Sequence, residues 1–398
     1  MCNPRQRVLA AIQHKQPDRV PVDLGGMRST GITASAYGQL KKQLGITTGD
    51  IHVFDATQQL AYVEEPVRQR FGCDVHILDE GLLQEWHDYT LFNGTQAKVR
   101  ADARFESDGK GGEYYLDASG RRIAHRSASA YSFNSIFFPL EDAATIGDLD
   151  TFDWPVLTDE ILTQMESAAR QLFTQTEYAI LGTFGGAFLE GGQSLRGWSK
   201  FMLDLARNRT FAVALLDRLL AIYLRNVELY LEAVGDYIQV IHMGGDLGTQ
   251  NGPQIHPRMY YEIIQPRQKV LWERIHQLAP GIAVFLHSCG SIYELIPGII
   301  DAGCDVLNPV QISARGMRPE RLKKDFGDKL CFWGGGCDTQ HVLPFGTPEE
   351  VYEHTRQNIE IFKPGGGFVF SQVHNIQPDV PAENILAMFA AVQDSWDY

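Results

Sequence analysis

The sequence predicts an α/β fold of the (β/α)8 barrel type. Short apolar runs alternate with amphipathic helical patterns over most of the 398 residues, which indicates a parallel sheet covered by helices. The number of runs and the length of the chain favour a closed barrel over an open sheet. Polar or glycine-rich residues follow each run, and in a barrel these strand ends meet on one face. We therefore expect the chemistry at that face.

The first strand is predicted at residues 19–24, where glycines stop a buried run. Residues from about 35 to 72 are predicted to be helical. Short runs broken by turns predict an inserted β-hairpin excursion near residues 85–140. We expect residues 1–398 to form one barrel domain around this insertion. The remaining strands are predicted at Tyr178–Thr183, Ile238–Met243, Ala283–His287, Asp305–Asn308, Leu330–Gly334 and Gly367–Ser371.

Charge and composition exclude several classes of function. The net charge of −14 is spread along the chain, and no run rich in lysine and arginine stands out, which argues against nucleic-acid binding. No window has the roughly 18 apolar residues needed to cross a bilayer, and the first residues lack the apolar stretch of a signal peptide. Six cysteines are too sparse for a disulfide scaffold. We expect a cytoplasmic protein.

His287 and Cys289 are the strongest candidates for a metal site. They follow the Ala283–His287 run with one residue between them, so the two-residue period of a strand lets both side chains point to one side. Zn²⁺ accepts this mixture of imidazole and thiolate and needs about four ligands. Cys337 and His374 follow later strands and are the further candidates. The alternative is a buried thiol beside a barrel histidine.

Other polar residues follow the predicted strands. Asp246 and Glu190 are the candidate catalytic carboxylates, although Asp246 could instead cap the next helix. Arg28 could pair with a substrate carboxylate through two hydrogen bonds. The candidate substrate-binding residues are Asp23, Arg28, Gln250 and Gln311.

These residues give the chain a resemblance to the uroporphyrinogen decarboxylase superfamily, especially its methyltransferase-like branch. The resemblance runs through residues 17–22, 182–197, 246–253, 286–290, 334–340 and 344–350. It implies the same distorted barrel. True decarboxylases of the superfamily have an arginine-rich loop near the N-terminus, whereas residues 27–31 contain only Arg28. Decarboxylation of a porphyrinogen is therefore not expected.

The resemblance also implies a mechanism. Zinc methyltransferases of this superfamily use an H-x-C motif, which His287 and Cys289 match, and a later cysteine, in whose place His374 falls. The third ligand is thus either His374 or Cys337, and Gln311 lies where related enzymes offer a carboxylate. The implied activity moves a methyl group between a small methylated substrate, such as a methoxyaromatic, a methylamine or a thiol, and a corrinoid (cobalamin) carried by a partner protein.

Two other functions fit the same residues. One is metal-free decarboxylase or lyase chemistry that uses Asp23, Arg28 and Asp246. The other is binding of a corrinoid or tetrapyrrole without turnover. The excursion at residues 85–140 could cap the barrel mouth, and it could equally serve as a docking surface for a partner protein or a second copy of the chain.

Overall fold

The computed structural model describes residues 2–79 and 85–398. Its strands are β1 (His52–Asp55), β2 (Leu60–Ala61), β3 (Val75–Leu78), β4 (Trp86–Thr90), β5 (Gln96–Arg100), β6 (Arg104–Ser107), β7 (Glu113–Leu116), β8 (Arg122–Arg126), β9 (Asn134–Ser135), β10 (Ala179–Gly185), β11 (Val240–Met243), β12 (Ala283–His287), β13 (Val306–Asn308), β14 (Cys331–Trp333) and β15 (Phe368–Val369).

The helices cover the outside of the central sheet. They are α1 (Pro4–Ile12), α2 (Ala34–Gln43), α3 (Glu65–Phe71), α4 (Ile146–Asp150), α5 (Asp159–Gln175), α6 (Leu189–Arg196), α7 (Trp198–Arg207), α8 (Arg209–Val234), α9 (Pro257–Met259), α10 (Gln265–Leu278), α11 (Ile296–Asp301), α12 (Pro319–Phe326), α13 (Val342–Phe345), α14 (Pro348–Phe362) and α15 (Ala382–Ser395). A π-helical turn (Tyr260–Ile264) joins α9 to α10, and a 3-10 turn (Tyr293–Leu295) precedes α11.

The central sheet is parallel and curls towards closure. In the described part of the chain it has seven strands in the order β15-β14-β13-β12-β11-β10-β3. Residues 20–24 complete the circle without forming a regular strand. The Asp23 amide donates to the Phe370 carbonyl on one side, at 2.8 Å, and the Asp74 amide donates to the Val22 carbonyl on the other, at 2.7 Å. The predicted (β/α)8 barrel is confirmed.

The sheet contains a strand that the pattern of apolar runs did not predict. Strand β3 lies beside β10, with Ala179 paired to Val75 and Leu181 to Ile77. The β insertion begins soon after β3, so β3 is not followed by the helical pattern that follows the other barrel strands. The alternation of strand and helix on which the prediction depended is interrupted there. The residues predicted as the first strand, 19–24, form an isolated bridge between Val22 and Phe370 and a hydrogen bond to Asp74 instead of a regular strand.

The prediction of a β excursion near residues 85–140 is confirmed, and its sheet reaches further back than predicted. Two sheets form there, with the orders β2-β1-β5-β4 and β6-β7-β8-β9. The helical prediction for residues 35–72 is therefore wrong between α2 and α3, where β1 and β2 lie. Strand β1 pairs with β5 through His52↔Lys98 and Val53↔Val99, a partner that the local sequence does not reveal.

The barrel interior is filled by side chains, as in other parallel barrels. Leu181, Val240, Phe285 and Trp333 belong to one fully buried cluster, so the barrel is a packed core with its usable surface at the strand ends. In the two ranges that the structure describes, no helix is both long and apolar enough to cross a membrane.

Candidate metal centre

The loop that follows β12 presents His287 and Cys289 on the same side. The His287 Nε2 atom lies 3.5 Å from the Cys289 Sγ atom. Ser288 points the other way and accepts a hydrogen bond from the Leu247 amide at 3.0 Å. Gly290 has a φ of 89°, and a Cβ there would lie 2.5 Å from the Gly248 carbonyl carbon. The position therefore requires glycine, which lets the loop turn tightly.

Hydrogen bonds define which His287 nitrogen can bind a metal. The Asn308 Nδ2 group donates to the Trp333 carbonyl at 2.8 Å, which turns the Asn308 Oδ1 atom towards His287. His287 Nδ1 lies 2.6 Å from that oxygen, so Nδ1 carries the proton and donates it. The tautomer, assigned from this network, leaves the Nε2 lone pair facing Cys289.

His374 joins these two residues from the loop after β15. The candidate ligand atoms of His287, Cys289 and His374 all lie within 4.8 Å of one another, and the two imidazole rings are 5.4 Å apart at their centroids. His374 has a φ of 63°, a left-handed conformation that is uncommon for residues other than glycine and concentrates at functional sites. Burial, followed by the neighbouring His287, lowers the pKa of His374 to about 4. The ring is thus neutral near pH 7.

The chemistry of this donor set fits zinc. Two imidazole nitrogens and a thiol converge, and two or three nitrogen and sulfur ligands with one open position are typical of catalytic zinc sites. Cys337 does not join them. Its thiol is fully buried and lies 4.0 Å from the carbonyl oxygen of Asp338, and burial raises its pKa to about 12. Of the two predicted third ligands, the fold brings His374 to the cluster.

Asp246 closes the cluster on another side. One carboxylate oxygen, Oδ1, accepts a hydrogen bond from the Cys289 amide at 2.7 Å and lies 3.6 Å from His287 Nε2. Burial, and then the Asp246 and Glu190 carboxylates, raises the pKa of the Cys289 thiol well above its usual range. Electron-rich atoms thus face one another, an arrangement that a bound cation would neutralise.

Glu190 lies next to Asp246. Burial raises the pKa of Glu190, and the Asp246 carboxylate raises it further, whereas a hydrogen bond with the Asp246 backbone and the nearby His287 oppose the rise. Both predicted catalytic carboxylates therefore lie next to the cluster. A carboxyl with a raised pKa is suited to proton transfer near neutral pH.

Side-chain amides surround the open side of the cluster. Gln311 accepts a hydrogen bond from the Gly290 amide at 2.7 Å and donates to Gln250 Oε1 at 2.7 Å. Gln340 accepts from Gln250 at 3.1 Å and from the Ser313 hydroxyl at 2.7 Å. We call the space that they line, about 380 Å³ with Cys289 and His374 in its wall, the amide cavity.

The two remaining predicted residues have partners of their own. Asp23 is fully buried, and its carboxylate accepts hydrogen bonds from the Trp333 indole at 2.8 Å and from the Gly26 amide at 2.7 Å. Burial raises the pKa of Asp23 to about 6. The Arg28 side chain is 44% exposed and lies 3.4 Å from Asp79 and 3.8 Å from Asp55. Asp23 thus belongs to the barrel interior and Arg28 to an ion-pair group.

Sequence reasoning missed two residues that the site uses. Asn308 sets the His287 tautomer, and Gln340 completes the amide cluster. Asn308 is the last residue of β13, so the rule that polar residues at strand ends are functional points to it as well. Gln340 lies in the loop after Cys337 and carries no comparable signal.

The fold and this cluster define a (β/α)8 barrel with a candidate metal site at the carboxyl ends of its strands. Comparison with known sequences gives the family. The profile of uroporphyrinogen decarboxylase (URO-D) matches residues 132–395, and the chain belongs to this family. The resemblance to that superfamily is confirmed.

Two individual proteins are similar to this chain. A uroporphyrinogen decarboxylase from Magnetococcus marinus is 26% identical over 113 residues, which are 28% of this chain and only 29% of that protein. A solved structure described as a methyltransferase from Methanosarcina mazei has a TM-score of 0.59 and 16% identity, and the match covers 99% of both chains. At that identity, the second match shows a shared fold.

Proposed function

We propose that this protein is a zinc-dependent methyltransferase that moves a methyl group between a small methylated compound and a corrinoid carried by a partner protein. The observation that carries the proposal is the convergence of His287, Cys289 and His374, whose ligand atoms lie within 4.8 Å of one another. Support comes from the family and from the fold shared with a protein described as a methyltransferase.

Different residues of the chain would bind the metal, orient one of its ligands and transfer a proton. His287 Nε2, Cys289 Sγ and one nitrogen of His374 would hold the metal, and Asn308 orients His287. When bound, zinc would act as a Lewis acid that lowers the pKa of a thiol or polarises the atom bearing the methyl group. That atom gains a proton when the methyl group leaves it. We propose that Glu190 and Asp246 deliver this proton.

The proposal is tested by metal content and by methyl transfer. Purified protein should contain about one zinc per chain. It should methylate free cob(I)alamin, followed by the change in corrinoid absorbance, with at least one donor from a panel of methoxyaromatics, methylamines and methylthiols. Removal of zinc by a chelator should abolish transfer, and added zinc should restore it.

A matched pair of variants separates metal binding from general damage. Cys289→Ser should lose zinc and activity, whereas Cys337→Ser should keep both, because the Cys337 thiol lies outside the cluster. Folded protein with well under one zinc per chain, or transfer that survives Cys289→Ser, would contradict the proposal.

Decarboxylase or lyase chemistry remains the second candidate because the family and one relative carry the uroporphyrinogen decarboxylase description. It predicts that His287→Ala leaves turnover of a carboxylated substrate largely intact and that Arg28→Ala reduces it. The methyltransferase proposal predicts the opposite pattern.

A further inference from the structure

A second, larger cavity has Glu190 in its wall. It has a volume of about 840 Å³ and lies between the loop after β10, helices α6 to α8 and the residues that follow the excursion. Four aromatic side chains line it: Phe138, Trp154, Trp198 and Tyr223. We call it the aromatic cavity. Its volume lies within the roughly 300–1,000 Å³ that is typical of pockets for drug-sized ligands.

The donors of these aromatic rings are already bonded to the protein. The Tyr223 hydroxyl donates to the Ala187 carbonyl at 2.9 Å, and the Trp154 indole donates to the Leu149 carbonyl at 2.9 Å. The Trp198 indole donates to Gln254 at 3.4 Å. What the rings offer to a ligand is therefore apolar surface, which favours another flat ring.

Glu190 is the charged side chain in the wall of this cavity; the other described lining residues are neutral. A ligand with its own carboxylate would meet the Glu190 carboxylate without an arginine or lysine to offset it. A carboxylate beside aromatic rings also suits a methylammonium cation, but such a small cation would cover little of the flat ring surface that the four aromatic side chains offer. The extent of ring surface therefore favours an uncharged aromatic compound.

A chain of contacts joins the cavity to the candidate metal centre. Glu190 lies close enough to Asp246 and His287 for both residues to act electrostatically on its carboxyl. The Asp246 carboxylate accepts from the Cys289 amide at 2.7 Å and lies 3.6 Å from His287 Nε2. A ligand held between the rings would therefore place a substituent beside Glu190, the carboxyl in the cavity wall that belongs to this chain of contacts.

We propose that the aromatic cavity binds the ring of an uncharged methoxyaromatic substrate, with the methoxy group directed towards Glu190. This rests on the proposed function, since it names the substrate class of the same site. In the reaction the O–CH3 bond breaks, the methyl group passes to the reduced corrinoid, and the oxygen takes a proton to give a phenol. Trp198 and Tyr223 are then residues that determine specificity.

The test measures binding without any need for turnover. Isothermal titration calorimetry on the full-length protein would use 1,2-dimethoxybenzene, with trimethylamine as the comparison, in the presence and absence of zinc. Trp198→Ala should weaken binding of dimethoxybenzene about tenfold, which corresponds to the loss of one large ring contact. Leu203→Ala is the matched control, because Leu203 lies on the same helix α7, is 52% exposed against 56% for Trp198, and does not line the cavity.

The outcomes separate this inference from the proposed function. Binding of dimethoxybenzene that Trp198→Ala weakens and Leu203→Ala leaves unchanged would support the cavity even in a protein that transfers no methyl group. Preference for trimethylamine, or equal effects of the two variants on dimethoxybenzene binding, would overturn the inference. Zinc-dependent methyl transfer from a methylamine would in that case leave the proposed function standing. Glu190→Gln should retain ring binding and lose transfer; loss of both would overturn the placement of the ring.

Discussion

The amide cavity and the aromatic cavity differ in size and in chemistry. The first, of about 380 Å³, is lined by glutamines, Cys289 and His374. The second, of about 840 Å³, is lined mainly by rings and aliphatic side chains. We infer that the amide cavity holds polar and metal-binding groups in a hydrogen-bonded network, whereas the aromatic cavity admits a ligand by its shape and apolar surface.

The largest effect is expected on the metal-binding side. His374→Asn removes an imidazole while it keeps a residue that tolerates a left-handed backbone. Loss of a residue that only hydrogen-bonds to a metal ligand lowers metal affinity by up to about a hundredfold. We therefore expect the loss of a ligand itself to lower zinc affinity by at least that factor. Competition with a chromogenic chelator measures it. Cys337→Ala should keep the wild-type affinity, and the reverse result would show that Cys337 is the ligand.

The next effect concerns the partner of His287. Asn308→Ala removes the acceptor that fixes the His287 tautomer. We expect zinc affinity to fall roughly 10- to 100-fold with the three ligands still present. Asn358→Ala is the control, because Asn358 is also a buried asparagine, bonded to the Gly336 carbonyl and to His354. Equal zinc loss in both variants would mean that the effect comes from destabilisation alone.

The amide network should affect stability. Gln311→Ala leaves the buried Gly290 amide without its acceptor, and we expect the free energy of unfolding to fall by about 1–3 kcal/mol. Urea denaturation measures this change. The Gln340 side chain is exposed and accepts hydrogen bonds from Gln250, Gln311 and Ser313, so Gln340→Ala should cost less. A larger loss for Gln340→Ala would show that the network depends on its outer member.

The smallest effect is expected in the aromatic cavity. Tyr223→Phe removes one hydrogen bond, to the Ala187 carbonyl, and should lower the free energy of unfolding by about 0.5–1.5 kcal/mol. The apolar ring surface remains, so binding of dimethoxybenzene should be unchanged within error. A marked loss of binding would mean that the hydroxyl itself contacts the ligand and that this side is less apolar than described.

The sequence predicted the parts of the fold that depend on local pattern. The apolar runs at β10 to β15 and the polar residues after them indicated the face on which the candidate metal centre lies. The positions that depend on distant partners were missed. Strand β1 exists because β5 lies beside it, and the choice between His374 and Cys337 depends on how two loops after different strands fold back. Spacing along a chain does not determine either.

The closure of the barrel has a consequence for folding. Residues 20–24 bridge Asp74 and Phe370, so the ring is completed only when these residues have met both β3 and β15. Such distant pairings form late because the chain between them must first be ordered. His374 follows the last strand and reaches His287 and Cys289 at the same stage. Binding of zinc by all three proposed ligands would thus require a closed barrel.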